Sequence, residues 1–431
     1  MYNKKSSLIL LFIFITFSSL NSYAQSTTDS TTEFKPKGNL WGYVFGDVDY
    51  KAKADTVGNN LGSPGRGGNQ YSKLPENSRM FQMRRVYLGY NYDLSAKFSA
   101  EILFAAEDDI SQGSGNLVAP GDMLSDNKFA PYLKLANIRW KNIFKGSDLV
   151  FGQVATPAFP LLSEAVWGYR SIERTVSDIR RTPSFDQGVT LQGHFDEDAN
   201  YGYNIMVGNG TGAKPSNYVF MWFYGDIWAK FMDKKLIIDL YQDYQKIDWT
   251  AVEDGKTGAF HHDRNMTKLF VAYTVPKFTI GVEAFMNTFM GDVQENSATK
   301  TYYRTTIATA VSAYARGRIY KDKLGFFARY DNFDPSHKIG DITGDKRIIS
   351  YAPLTSQYDP TTKEQFITFG LDYTPLPNVH VMPNLWLNTY ECALPANSYF
   401  LNSKGTDAKG TDAVIRLTVY YLFGKKEGIR F

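Results

Sequence analysis

The stretch KFTIGVEAFMN, residues 277–287, alternates apolar and polar side chains almost without interruption. On an extended chain, successive side chains point to opposite faces of the strand. One face of this stretch is apolar and consists of Phe278, Ile280, Val282, Ala284 and Met286. The other face carries Thr279, Gly281 and Glu283. A strand of this kind fits a position between an apolar medium and water.

Comparable alternation recurs along the chain in segments of about ten residues. No helical period competes with the alternation in these stretches, so the pattern predicts sixteen strands. The predicted strands are 39–50, 79–92, 97–107, 130–141, 148–155, 188–196, 199–208, 218–231, 235–248, 265–275, 277–290, 308–320, 324–334, 364–374, 378–391 and 412–423.

The connections between the predicted strands alternate in length. Every second connection is tight, as at 93–96, 144–146, 196–198, 233–234, 276, 322–323 and 376–377. The others are long and polar, such as 51–78, 156–187, 335–363 and 392–411. Short periplasmic turns that alternate with long external loops are typical of outer-membrane barrels. The sequence therefore predicts an all-β fold, a transmembrane antiparallel up-and-down β-barrel of about 16 strands.

Composition agrees with a membrane barrel. The chain contains 29 Tyr and 30 Phe, and outer-membrane barrels place such side chains in girdles at both membrane interfaces. After Phe17, no stretch approaches the roughly 18 consecutive apolar residues that a membrane helix needs. In hydrocarbon, only helices and closed barrels pair every main-chain N–H and C=O group. A closed β-sheet is therefore the membrane-spanning structure that this sequence predicts.

The N-terminus has the parts of a secretory signal peptide. Lys4 and Lys5 supply positive charge, residues 8–17 form an apolar core, and the small residues Ser22 and Ala24 at the −3 and −1 positions allow cleavage before Gln25. We predict a signal peptide at 1–24, a disordered periplasmic leader at 25–38 and the outer-membrane β-barrel at 39–431. The predicted location of the mature chain is the bacterial cell outer membrane.

Charge and motifs exclude several classes of protein. The formal net charge is +3, and removal of Lys4 and Lys5 leaves 3 − 2 = +1, which argues against a nucleic-acid binder. Cys392 is the only cysteine, so no disulfide forms within the chain. The sequence has no phosphate-binding loop, no zinc-binding helix and no serine-hydrolase elbow. It therefore predicts no enzyme, no cofactor and no metal site.

A barrel of sixteen strands is too wide for side chains alone to fill, so water is expected in its lumen. Charged side chains on the inner face are tolerable only against that water. The arginines that we assign to this face are Arg85, Arg139, Arg316, Arg318, Arg329 and Arg416. The alternative is that they pair with neighbouring residues and only keep the wall solvated.

The third external loop, 156–187, has helical character and an apolar face. A loop that folds into the barrel can rest such a face on the wall, so we predict that this loop folds inward. Its arginines would then form the constriction, and they are Arg170, Arg174, Arg180 and Arg181. Rings of arginine select for anions and phosphates. The alternative is that they pair with the carboxylates of Glu164, Glu173, Asp178 or Asp186 and hold the shape of the loop.

Three short stretches resemble the phosphate-selective porin family, which includes porins O and P. They are FQMRRVYLGY at 81–90, FGQVATP at 151–157 and GYRSIER at 168–174. The resemblance implies a sixteen-stranded barrel, a homotrimer, and passage of small anions past arginines and lysines of the lumen. The sequence departs from the family where Ala158 separates Pro157 from Phe159. Acidic residues on the inner face also dilute the basic charge, and they are Glu101, Asp239, Glu283 and Asp372.

Together these features predict an outer-membrane porin for passive diffusion of small hydrophilic solutes, with preference for anions such as phosphate as the finer hypothesis. The expected partners are outer-membrane lipid, small anions or other small hydrophilic solutes, further copies of the chain in a homotrimer, and the barrel assembly machinery. Two alternatives stay open. One is a structural or adhesive barrel that its loops plug, and the other is a barrel enzyme that uses His194.

Overall fold

The computed structural model describes residues 34–55, 71, 74–107, 131–179, 183–212, 220–253, 256–297, 301–335, 348–353, 362–392 and 409–424. Lys37–Phe431 form one compact unit. The preceding unit is Met1–Pro36, of which only 34–36 are described. The predicted signal peptide and most of the predicted leader therefore lie outside the described residues.

Sixteen strands form a closed antiparallel barrel, as the sequence predicts. The first barrel strand pairs with both the second strand and the last strand, which closes the sheet. The barrel strands are β1 (Lys37–Lys53), β2 (Arg79–Asp93), β3 (Phe98–Glu107), β4 (Tyr132–Phe144), β5 (Ser147–Ala155), β6 (Phe185–His194), β7 (Tyr201–Gly208), β8 (Trp222–Phe231), β9 (Leu236–Gln245), β12 (Arg264–Val275), β13 (Phe278–Ser297), β14 (Thr301–Tyr320), β15 (Leu324–Asp334), β17 (Thr362–Leu376), β18 (Val379–Cys392) and β19 (Lys409–Phe423).

Three further strands lie in connections that the sequence predicts as loops. β10 (Asp248–Glu253) and β11 (Lys256–His261) form a hairpin, and β16 (Ile348–Pro353) pairs with β13. β13 and β14 also extend well beyond the predicted strands 277–290 and 308–320. The sequence of these extensions lacks the apolar alternation on which the strand prediction depends. Main-chain pairing with a neighbour continues without that signal.

The barrel wall has an apolar outer face and a polar inner face. Leu269 of β12 is paired with Leu240 of β9, and both side chains are exposed on the outside. The adjacent residues Lys268 and Asp239 are fully buried on the other face, where they form an ion pair of 3.5 Å. The alternation read from the sequence therefore corresponds to the two faces of the wall.

Glycine and aromatic residues pair across neighbouring strands of the inner face. Trp41 of β1 is paired with Gly89 of β2. A Cβ atom at Gly89 would lie 2.3 Å from ring atoms of Trp41, so the indole lies directly over the glycine. The missing side chain is what lets the large ring lie flat on the wall.

The connection between β5 and β6 contains two short helices, α1 (Ser163–Trp167) and α2 (Val176–Ile179). This confirms the predicted helical character of the loop. Gly168 ends α1 in the left-handed conformation with φ of 71°, and its N–H donates to the carbonyl of Glu164. Among the described residues, no helix combines the length and the apolar character needed to cross a membrane.

Candidate functional site

Residues 156–179, here called the helical segment, run from the end of β5 through both helices. The apolar side chains of the segment are buried, and they include Phe159, Leu162, Trp167, Ile172 and Val176. They belong to two apolar clusters, which also contain side chains of β5, β7–β9, β12–β15 and β18. The helical segment therefore shares its core with the strands on one side of the barrel.

Four arginines from distant strands donate hydrogen bonds to main-chain carbonyls of the helical segment. The pairs are Arg84 of β2 with Ser171, Arg316 of β14 with Val166 (3.0 Å), Arg329 of β15 with Arg174, and Arg416 of β19 with Ile172 (3.0 Å). A buried carbonyl outside a regular helix needs a donor from elsewhere in the chain. The structure thus places three of the predicted lumen arginines, Arg316, Arg329 and Arg416, against the helical segment.

Side chains add a second set of ties between the segment and the wall. The indole of Trp386 donates to Glu173 at 2.9 Å, and the hydroxyl of Tyr169 donates to Asp372 at 3.0 Å. Burial, together with Asp372, raises the pKa of Tyr169 above its ordinary value. Tyr169 therefore stays protonated and keeps donating to the carboxylate at neutral pH.

Arg170 is neutralised within the segment. Its guanidinium forms ion pairs with Glu164 and with Asp178, and the distance to Asp178 is 2.8 Å. Burial opposes the charged form, but the two carboxylates outweigh it and raise the pKa of Arg170 well above its ordinary value. Burial also acts to raise the pKa of Asp178, yet Arg170 and Arg174 hold that pKa below its ordinary value. Arg170 therefore stays charged and paired within the segment.

Arg174 is more open to solvent than Arg170, with 37% of its side chain exposed. Its guanidinium lies 4.0 Å from Glu173 and 3.9 Å from Asp178, beyond hydrogen-bond distance. Burial acts to raise the pKa of Glu173, but Arg174, Arg416 and the Trp386 indole hold it below its ordinary value. Glu173 therefore stays ionised, and Arg174 presents a partly exposed positive charge beside two carboxylates.

An ion-pair cluster on β2, β3 and β4 faces Arg170. Arg85 lies 2.8 Å from Glu107, and the Lys134 ammonium contacts the same carboxylate oxygen. The hydroxyl of Tyr87 also donates to Glu107. Arg170 interacts electrostatically with both Arg85 and Lys134. The structure therefore places the predicted residue Arg85 in an ion-pair cluster with Lys134 and Glu107, which the sequence alone does not single out.

Arg84 is a second residue that simple alternation misses. β1 pairs Phe45 with Arg85 and Gly46 with Met83, which leaves Arg84 as the extra residue of a β-bulge. A bulge re-aims a side chain, so two successive arginines turn away from the outer face. Arg84 then forms a buried ion pair with Asp47. The two adjacent arginines were the available signal, but only the pairing register reveals the bulge.

The other predicted arginines lie apart from this cluster or outside the described residues. Arg139 pairs with Asp148 at 2.9 Å and donates to Gln192 at 3.3 Å. Arg318 pairs with Asp322 in the turn after β14, and 60% of its side chain is exposed. Arg180 and Arg181 lie outside the described residues.

The sequence matches no protein-family model and no curated protein. The resemblance to phosphate-selective porins therefore stays a prediction.

Several solved structures are similar in fold to this chain over nearly its whole length. The outer-membrane channel DcaP of Acinetobacter baumannii is 12% identical, with a TM-score of 0.56, and the match covers 92% of this chain and 100% of that one. The outer-membrane OmpT of Vibrio cholerae is 11% identical with a TM-score of 0.51, covering 92% and 100%. Salmonella typhi OmpF in complex with daunomycin is 11% identical with a TM-score of 0.51, covering 90% and 98%. At these identities the likeness shows the fold alone, so the chain shares its β-barrel fold with proteins that include an outer-membrane channel.

Proposed function

We propose that the protein is a passive diffusion channel of the bacterial outer membrane for small hydrophilic solutes, with the helical segment folded into the lumen as its constriction. The set of arginine bonds to the main chain of the segment carries this proposal. The apolar clusters of the segment include side chains from β5 to β18, and the arginines add β2 and β19. A segment that packs against inward-facing side chains from so many strands of the barrel lies inside the barrel.

The remaining strands then line the opening. The inner faces of β3–β5 carry half-buried charged side chains, among them Glu107, Arg139 and Asp148. Partial exposure of ion pairs inside a closed barrel fits a water-filled path, since charge in a dry interior carries a large desolvation cost. The path therefore runs between the helical segment and β2–β6.

Anion preference is proposed only as a weak effect. Arg170 is neutralised by two carboxylates, and Arg85 shares Glu107 with Lys134. Arg174 is the described arginine of the helical segment whose charge is most open to water. Among the described residues of the segment, one partly exposed charge near the opening attracts small anions, phosphate included, but by itself it does not form the ring of arginines that strong selection needs.

The test is the reversal potential of the purified, folded protein in a planar bilayer under a salt gradient. We expect stable current steps with a mild preference for anions. Arg174→Gln should abolish that preference, while Arg318→Gln serves as the matched control because Arg318 lies at the barrel end. Current steps with cation preference in the wild type, or an unchanged reversal potential in Arg174→Gln, would contradict the role of Arg174. Neither result would contradict the proposed channel function.

A plugged barrel is the second candidate, and Tyr71 favours it. Tyr71 belongs to the first long connection, yet it is fully buried, and its hydroxyl accepts a hydrogen bond from Arg416 at 3.1 Å. Two connections are thus anchored to the inner face. Absence of conductance from a folded barrel would support the plugged candidate over the channel.

No catalytic role is proposed. The ring of His194 lies 2.5 Å from the main-chain carbonyl of Asp196 in the following turn, which is a structural contact. A homotrimer, export through a cleaved signal peptide and insertion by the barrel assembly machinery belong to the proposal as partners and route. Native mass measurement in mild detergent tests the trimer.

A further inference from the structure

Aromatic rings cover part of the inner faces of β1, β2, β4 and β6. We call Tyr43, Tyr87, Tyr132 and Phe185 the aromatic patch. The rings of Tyr43 and Tyr87 stack with centroids 4.5 Å apart, and those of Tyr132 and Phe185 lie 6.3 Å apart. Tyr87 is buried, but the other three are half-buried. Ring surface is therefore accessible on the side of the barrel where the proposed water path runs.

Lys134 connects the aromatic patch with the ion-pair cluster. Its ammonium lies 5.2 Å from the ring centres of both Tyr87 and Phe185, and 6.0 Å from that of Tyr132. Glu107 contacts the same ammonium. A cation that three rings and a carboxylate already surround has little attraction left for a dissolved anion.

Among the described residues, the formal charges of the ion pairs beside the aromatic patch cancel. Three cations, Arg85, Lys134 and Arg170, are paired with three carboxylates, Glu107, Glu164 and Asp178, which gives 3 − 3 = 0. An anion would have to compete with these carboxylates for the cations. Paired groups nevertheless keep free donor and acceptor positions at fixed places, since a guanidinium has five N–H donors and a carboxylate about four acceptor sites.

We propose that the aromatic patch and its ion pairs bind a neutral saccharide in the pyranose form as it passes the constriction. A pyranose has an apolar C–H face that packs on an aromatic ring, and a rim of hydroxyl groups that both donate and accept. The half-buried rings of Tyr43, Tyr132 and Phe185 receive the face, and Arg85 and Glu107 receive the hydroxyl groups. This inference rests on the proposed diffusion function and names a solute class for it.

The experiment measures block of single-channel current by maltotriose in symmetric potassium chloride, with the full folded chain in a planar bilayer. We expect interruptions that increase with maltotriose concentration. Tyr132→Leu and Phe185→Leu keep an apolar side chain but remove the ring, and each should raise the half-blocking concentration about three- to tenfold. Tyr132→Phe keeps the ring and serves as the matched control, with block like that of the wild type.

Several outcomes overturn the inference. Equal block by polyethylene glycol of the same mass would mean that size alone decides, and stronger block by benzoate would assign the patch to aromatic carboxylates. If maltotriose blocks the leucine variants at the same concentration as the wild type, the aromatic rings are not part of the binding site. Ion current without any effect of maltotriose would refute saccharide binding and leave the channel intact, whereas no current at all would refute the proposed function.

A second measurement does not depend on ion flow. Trp41 lies 6.4 Å from Tyr43, so intrinsic tryptophan fluorescence can follow binding at the patch in detergent. Maltotriose should change the fluorescence of the wild type and of Tyr132→Phe with the same half-saturation. A flat titration in the folded wild type, even with a conducting channel, would speak against the site.

Discussion

The guanidinium of Arg416 donates to the main-chain carbonyl of Ile172 at 3.0 Å, across 244 positions of sequence. The same guanidinium donates to the hydroxyl of Tyr71 at 3.1 Å and to the side-chain oxygen of Asn384 at 2.8 Å. Arg416 thus joins the helical segment, the first long connection and the barrel wall. One buried residue fixes the position of two connections at once.

Replacing Arg416 by methionine should destabilise the protein and loosen both connections. Arg416→Met removes three hydrogen bonds from a charged group, each worth about 1.5–3 kcal/mol, although partner relaxation makes the total smaller than their sum. We expect the free energy of unfolding in lipid vesicles to fall by about 2–4 kcal/mol. Denaturant titration measures this fall.

Arg318→Met is the matched control for this experiment, because the exposed pair of Arg318 with Asp322 contributes little. We also expect noisier single-channel current from Arg416→Met, since the helical segment loses an anchor. A variant as stable and as quiet as the wild type would show that Arg416 is dispensable for both connections.

The contribution of Asp178 to stability should depend on pH in a defined direction. Its pKa in the folded state is below its ordinary value, so the stabilisation is complete above the ordinary pKa, about 4, and is lost as pH falls through the folded pKa. The difference in unfolding free energy between wild type and Asp178→Asn should be about 1–3 kcal/mol and constant above about pH 5. The difference in unfolding free energy should disappear only below about pH 4.

Parallel denaturant titrations of the two proteins between pH 3 and pH 8 measure that difference. Comparison with the variant cancels the titration of other groups, which is why the difference is more informative than the wild-type curve. A difference that already disappears between about pH 7 and pH 5 would mean that Asp178 is not held ionised by Arg170.

Gly89→Ala should displace Trp41. The added Cβ atom would lie 2.3 Å from ring atoms of the indole, far inside the contact distance of two carbon atoms. Overpacking of this kind costs about 1–3 kcal/mol. Thermal unfolding measures the loss, and the double variant Gly89→Ala with Trp41→Leu should recover part of it because the clash is gone. Equal stability of Gly89→Ala and wild type would refute the close packing.

A charge on the outer face should reveal the depth of each strand in the bilayer. Leu269 is in the middle of β12, and 46% of it is exposed outside the barrel. Arginine at the bilayer midplane costs about 2–4 kcal/mol, and near the interface about 0–1 kcal/mol. We expect the larger loss for Leu269→Arg and the smaller for Phe231→Arg, which lies at the end of β8. Refolding into vesicles gives both values, and equal losses would contradict the assigned orientation of the wall.

The strands could be predicted because the sequence of each one contains its own alternation of apolar and polar residues. In the stretch 277–287, every second side chain faces lipid, and lipid accepts only apolar groups. The extensions of β13 and β14 carry no such alternation in their sequence, and the structure shows them through main-chain pairing with each other. Elements that depend on a neighbour for their stability escape prediction from sequence alone.

The candidate site was predicted less completely than the fold. Arg85, Arg170 and Arg174 were visible as basic residues in the right segments, but their partners come from other strands. Arg84 depends on a bulge opposite Gly46, which only the register between β1 and β2 creates. The neutralisation of Arg170 therefore followed from packing and not from the spacing of residues.

The sequence by itself determined that this chain forms a barrel with a lipid-facing outside and a polar inside, because alternation is a local property set by the surrounding medium. Tertiary structure alone decided which inner charges stay free. Closure of the barrel brings Arg416 to Ile172 and Arg329 to Arg174. A buried charge is stable only when it is paired or hydrogen-bonded. Arg174 keeps a partly exposed charge because its guanidinium lies beyond hydrogen-bond distance of Glu173 and Asp178, and that distance cannot be predicted from the sequence.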